Sequence, residues 1–123
     1  MHAPKMRIVV VSPSAAERNA LCDLLVGDGH QVATAAMRAE GLDLVSLERP
    51  DVLIADAQLA GFDGRAWNSG LLERGLMPRV ILLCPRVSRM FERDGIICLT
   101  KPIELDVLRR CIAEALPRRS NVA

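Results

Sequence analysis

Tyrosine is absent from this 123-residue chain, and its only aromatic residues are Phe62, Trp67 and Phe91. Proteins that grip single-stranded nucleic acid stack bases on successive aromatic rings, and this chain has no such platform. Neither sign of charge dominates. Sixteen Lys and Arg against 15 Asp and Glu leave a net charge of +1, so bulk electrostatics draws it neither to nucleic acid nor to an anionic membrane. No apolar run approaches the roughly 20 residues of a membrane-spanning helix. Residues 1–6 are short and polar and run straight into a strand, which is not the build of a signal peptide. The four cysteines (Cys22, Cys84, Cys98, Cys111) form no Cys-x-x-Cys and have no His pair nearby. Neither a metal site nor a disulfide framework is indicated, and reduced thiols in a cytoplasmic protein are the expectation. A glycine-rich phosphate loop is also missing, so neither a dinucleotide nor a P-loop nucleotide has support.

What is present is enough apolar sequence, 50% of residues, to fill the core of one domain without staples. The expected domain is 1–123, with its core at about 5–116 and a polar tail over 117–123. Its centre is the stretch from Pro50 to Gly64. Val52–Ala55 is an unbroken apolar run that suits a strand buried on both faces. It ends on Asp56, and Gly61 and Asp63-Gly64 then mark a loop. In open α/β sheets ligands and chemistry collect at the carboxyl ends of the strands, which is where Asp56 stands.

Taken in order, Arg7–Val11 is a β-branched strand broken by Ser12-Pro13. Ser14 and Glu17 fit a capping box for a helix with Ala20, Leu21, Leu24 and Leu25 at helical spacing, stopped by Gly27-Asp28-Gly29. Gln31–Ala35 is a weaker strand. A helix from about Met37 to Glu48 turns Met37, Leu42 and Val45 inward. After the strand Asp51–Asp56, a helix begins near Gly64 or Arg65 with Trp67, Leu71 and Leu72. Asn68-Ser69-Gly70 predicts that it is short or irregular. Arg79–Cys84 is a buried strand. Arg86–Arg93 suits a brief helix with Val87, Met90 and Phe91 as its stripe, and Asp94-Gly95 is a turn. Ile96–Thr100 is the last strand, and Lys101-Pro102 ends it. The last helix starts at about Pro102 or Ile103, with Glu104 at the positive end of its dipole. Its buried face is Ile103, Val107, Leu108, Cys111, Ile112, Ala115 and Leu116. Five β-α repeats with buried strands predict a five-stranded, doubly wound parallel sheet with helices on both faces.

Four motifs in this order carry a resemblance: Ile8-Val9-Val10-Val11, the run from Pro50 to Asp56, Gly61-Phe62-Asp63-Gly64, and Leu99-Thr100-Lys101-Pro102. Over Lys5 to Leu116 the chain resembles the bacterial response-regulator receiver domain (CheY-like, a flavodoxin-like fold). The resemblance implies that Asp56 is the phosphoacceptor for a sensor kinase, that Lys101 bonds the phosphoryl oxygens, and that the Lys101-Pro102 bond is cis. It also exposes departures. Two acids that hold magnesium in the family are replaced here by Ser12 and Pro13, so Asp56 is left as almost the sole charge for a metal, and magnesium binding becomes doubtful. Glu17 is the next acid, inside the helix. The Ser/Thr position holds Cys84, a weaker donor. The aromatic switch position holds Cys98, and Ala60 stands where the loop has Pro. The stretch from Cys84 to Lys101 is about one turn short, which stunts the fourth helix.

The reading that follows is an atypical pseudo-receiver of a two-component phosphorelay. It acts by protein–protein interaction, with weak or no phosphorylation and no enzymatic activity beyond autophosphorylation on Asp56. The alternative is a working phospho-switch on Asp56. A third reading, a thiol sensor through Cys84, rests on Lys101 lowering the thiol pKa. The implied partners are a histidine kinase or a downstream effector, with a homodimer compatible and no nucleic acid or membrane. They meet the last helix, the last strand and the stunted helix, where Arg109, Arg110, Arg118 and Arg119 cluster.

Overall fold

The computed structural model describes residues 5–57, 65–76, 78–85, 91–93 and 96–115. Its elements are β1 (Arg7–Val11), α1 (Ala15–Gly27), β2 (Gln31–Ala35), α2 (Arg38–Glu48), β3 (Val52–Asp56), α3 (Arg65–Glu73), β4 (Arg79–Cys84), β5 (Phe91–Arg93), β6 (Ile96–Thr100) and α4 (Leu105–Ala113). One sheet runs in the order β2-β1-β3-β4-β6-β5. Its first five strands are parallel, as the β-α alternation predicts. β3 is buried along its whole length, as a two-faced apolar run should be.

The pleat sends alternate residues to opposite faces. Ile8, Val10, Val52, Ile54, Ile81 and Leu83 pack with Leu21 and Leu25 of α1 and with Leu108, Cys111 and Ile112 of α4. Val9, Val11, Leu53, Ala55, Leu82 and Cys84 pack with Val45 of α2 and Leu71 of α3. The chain leaves β1 toward β2 on one side and returns to β3 on the other, so the strand order reverses at β1. The crevice that this reversal opens lies at the carboxyl ends of β1 and β3, beside Ser12 and Asp56.

Several details differ from expectation. Residues 91–93 are not helical; they form a sixth strand, antiparallel to β6, with Arg93 opposite Ile96 and Phe91 opposite Cys98. The rest of the expected helix over Arg86–Arg93 lies outside the described residues, as do Ala60, Gly61, Phe62, the Asp63-Gly64 turn, Leu116, the tail from Pro117 and the side chain of Trp67. α3 is short, nine residues, as expected, but it is not irregular and runs without a break through Asn68-Ser69-Gly70. Glycine there has a packing reason: a Cβ at Gly70 would sit 2.8 Å from Leu42 Cδ1, so its absence lets α3 approach α2. Met37 caps α2 from outside and is 59% exposed, and Leu72 is 68% exposed. Ala20 is exposed on α1. α4 begins at Leu105 with Glu104 as its N-cap residue, two to three positions later than expected, and the Lys101-Pro102 bond before it is cis. α2 ends on Arg49 in the left-handed conformation (φ 48°).

Two contacts fix the lower edge of the sheet. The buried Asp51 accepts the Arg7 amide on Oδ2 at 2.9 Å, and its own amide donates to the Arg7 carbonyl at 2.8 Å. The Met6 amide donates to Nδ1 of His30 at 3.1 Å.

Candidate functional site: an ion cluster at the strand ends

The site is built where β1, β3 and β6 end. β3 delivers Asp56, whose side chain is 4% exposed. β6 ends at Thr100, and the next residue, Lys101, is tied down by its amide, which donates to the Cys84 carbonyl at 2.8 Å. Its side chain then reaches Asp56, with Nζ 2.6 Å from Oδ2. Two of the residues singled out in the sequence are thus brought together.

The third member is Glu17, whose role the sequence reading missed. Half of the capping box forms: the Glu17 amide donates to Ser14 Oγ at 3.1 Å. The Glu17 carboxylate does not reach back to the cap. Oε1 lies 2.9 Å from Lys101 Nζ, and Oε2 accepts the hydroxyl of Ser12. Ser12 is fully buried, and its Oγ accepts the Ser14 amide at 3.1 Å. Arg18 donates to the Ser12 carbonyl at 2.7 Å. Helix geometry explains the reach, since a residue in the first turn of α1 sits directly above the strand end that feeds it. The available signal was an acid one turn into the helix with no acid at Ser12 or Pro13 before it.

Lys101 responds to these neighbours. Partial burial alone would lower its pKa, but the hydrogen bonds and charges of Asp56 and Glu17 outweigh that and raise it above its ordinary value.

Cys84 stands apart. Its side chain belongs to the core under α2 and α3, the opposite face from α1 and α4, and it shares a hydrogen bond with Cys98. Burial, then the neighbouring Cys98, then Asp56 push its thiol up to about 12; Lys101 pulls the other way and loses. Expected activation by Lys101 is therefore reversed, because desolvation of a thiolate outweighs a distant ammonium. Burial also raises the Cys98 pKa.

The donor set fits a magnesium ion poorly. Magnesium takes near-octahedral oxygen donors, usually with carboxylates. Ser12 and Pro13 bring none, and the two carboxylates present, Asp56 and Glu17, are both bonded to an ammonium. Among the described residues no group of three or more His, Cys, Asp and Glu side chains could hold a metal ion. No helix among them is long and apolar enough to cross a membrane. At the α4 end of the sheet, Arg109 is bound to Asp28 at the end of α1, Nε to Oδ2 at 2.9 Å, while Arg110 is exposed. Arg118 and Arg119 lie outside the described residues.

No family model matches the chain. In sequence it is 26% identical over 120 residues to sporulation initiation phosphotransferase F of Bacillus subtilis, covering 94% of this chain and 97% of that protein. It is 29% identical over 113 residues to the sensor histidine kinase RcsC of Salmonella typhimurium, covering 88% of this chain but only 12% of the kinase's length. In structure it superposes on a response regulator receiver domain protein of Bacillus halodurans with a TM-score of 0.74 and 20% identity, covering 93% of this chain and 99% of that one. It also matches the co-crystal structure of the Saccharomyces cerevisiae phosphotransfer protein Ypd1 and the receiver domain of Ssk1, with a TM-score of 0.76, 19% identity, and coverage of 94% and 91%. A parallel sheet with an acid ending β3 and a lysine after β6, together with these likenesses, gives the chain the fold of a response-regulator receiver domain.

Proposed function

We propose that this receiver works in a bacterial phosphorelay as an atypical module that signals by binding partner proteins, with little or no phosphoryl transfer to Asp56. The observation that carries the reading is the Lys101 ammonium bonded to both Asp56 and Glu17, with no carboxylate at Ser12 or Pro13. Phosphoryl transfer accumulates charge on the equatorial oxygens, and catalysis of it is mostly positioning and neutralisation. Here the acceptor carboxylate is held in an ion pair, and a second carboxylate stands beside the approach of an anionic donor. Neither favours attack by Asp56. Cys84, turned into the opposite core, is a poor hand for a phosphoryl oxygen, and Cys98 cannot swing as an aromatic switch.

The partner class we propose is a histidine phosphotransfer protein or sensor kinase in the cytoplasm, by likeness to the receiver of Ssk1 solved with Ypd1. The docking face is α4 with β6 and β5; on α4 Leu105 is 46% exposed and Arg110 is exposed.

The test is the intact mass of the chain after incubation with an acyl phosphate and magnesium, alongside Asp56→Asn. No adduct on either chain is expected. A phosphate adduct on the wild type that Asp56→Asn lacks would replace this reading with the working phospho-switch.

A further inference from the structure

We propose that Glu17 is a positioning residue that, with Asp56, seats the Lys101 ammonium as a built-in cation, so that the site excludes divalent metal while Lys101 is in place. Glu17 is held on both oxygens: Oε1 by Lys101 at 2.9 Å and Oε2 by the hydroxyl of Ser12. Ser12 is itself fixed, being fully buried and accepting the Ser14 amide. Lys101 is anchored through its backbone to Cys84 and ends 2.6 Å from Asp56. Nothing in this arrangement depends on a surface rotamer finding its partner by chance. The charges also balance locally, two carboxylates facing the Lys101 ammonium and the Arg18 guanidinium at the Ser12 carbonyl. A dication entering between Asp56 and Glu17 would meet an ammonium already bonded to both, and like charges a few ångströms apart in a half-buried site repel strongly. The departure at Ser12 and Pro13 is thereby matched by a gain at Glu17: one acid, reached from the helix, turns the lysine into the counter-ion.

The proposal makes the metal response conditional on a single side chain. Removing Lys101 takes away the ammonium that both carboxylates bond and leaves them, with the Ser12 hydroxyl, as hard oxygen donors.

Manganese(II) serves as the probe, read by paramagnetic broadening of amide signals, with no phosphodonor present. The wild type should show no selective broadening at Ser12, Glu17 or Asp56, and the same melting temperature in magnesium chloride as in sodium chloride of equal ionic strength. Lys101→Met should broaden selectively at those three amides, bind manganese at least about tenfold more tightly than the wild type, and melt higher in magnesium than in sodium. Adding Glu17→Gln to Lys101→Met should abolish both responses. If Lys101→Met does not fold, Lys101→Gln takes its place. Selective broadening in the wild type overturns the proposal, as does a Lys101 variant whose metal response survives Glu17→Gln. These readouts do not involve phosphorylation, so they fail or succeed separately from the phosphate-adduct test.

Discussion

His30 shows how one half-buried side chain makes the fold sensitive to pH. Its Nδ1 accepts the Met6 amide, which only a ring unprotonated at that nitrogen can do. Burial lowers its pKa from 6.5, with Asp28 pulling in the other direction. A lowered value in the fold means that the unfolded chain takes up the proton more readily. The stability that His30 contributes is therefore present above about pH 6.5 and is lost as the pH falls through the folded value. Urea midpoints measured down this range should drop for the wild type, and His30→Asn, which offers an oxygen to Met6, should flatten the dependence. Cys84 makes a second residue-scale case. With its thiol pushed up to about 12, a maleimide at neutral pH should label the half-buried Cys22 first and reach Cys84 only on unfolding. Fast native-state labelling of Cys84 would restore the thiol-sensor reading.

At the scale of elements, the contact between α2 and α3 depends on a missing side chain. Gly70→Val should overpack against Leu42 and cost about 1–3 kcal/mol in chemical denaturation. Gly70→Ala should cost far less, because only the terminal methyls of Leu42 must move and alanine returns up to about 1 kcal/mol of helix propensity. The same stretch shows what a sequence reading can and cannot reach. Continuous β-branched runs such as Ile8–Val11 and Val52–Ala55 identify buried strands because burial on both faces leaves no room for polar residues. Amphipathic spacing found α1 and α4. Local propensity at Asn68-Ser69-Gly70 anticipated a short α3 but not its unbroken course, because tertiary contact with α2 outweighs poor helix chemistry there. It failed at 91–93 too, because three residues have no period to read, although Asp94-Gly95 ahead of Ile96 is the residue pair that two-residue hairpins favour. Asp56 and Lys101 were legible from their strand ends. Glu17 was not, because its Ser-x-x-Glu spacing satisfies a capping motif whose second half the fold diverts into the site.

On the scale of the whole molecule, stability is layered from the middle of the sheet outward. β1, β3 and β4 are each flanked by two strands and covered by helices on both sides, whereas β2 and β5 lie at the edges. Amide hydrogen exchange should rank accordingly, with Val9, Leu53 and Leu82 exchanging through global unfolding and β2 and β5 opening at lower free energy. Leu53→Ala, which removes a fully buried side chain, should cost about 2–5 kcal/mol, and the exposed Leu47→Ala less than about 0.5 kcal/mol.

The strand order also bears on how the chain reaches this structure. Every parallel pair joins segments separated by a crossover, and β1 does not gain its second neighbour until β3 has been made. Among the described strands only β5 and β6 pair with adjacent sequence. Closing such loops before their contacts reward it slows folding, so this small domain should fold on the slow side for its size. Its first half can nevertheless assemble early: once Asp56 has left the ribosome, β2, β1 and β3 are all available to pair, before Lys101 has been synthesised. A chain that folds as it is made would thus frame the acids Asp56 and Glu17 before their cation arrives, and would close the charge cluster late.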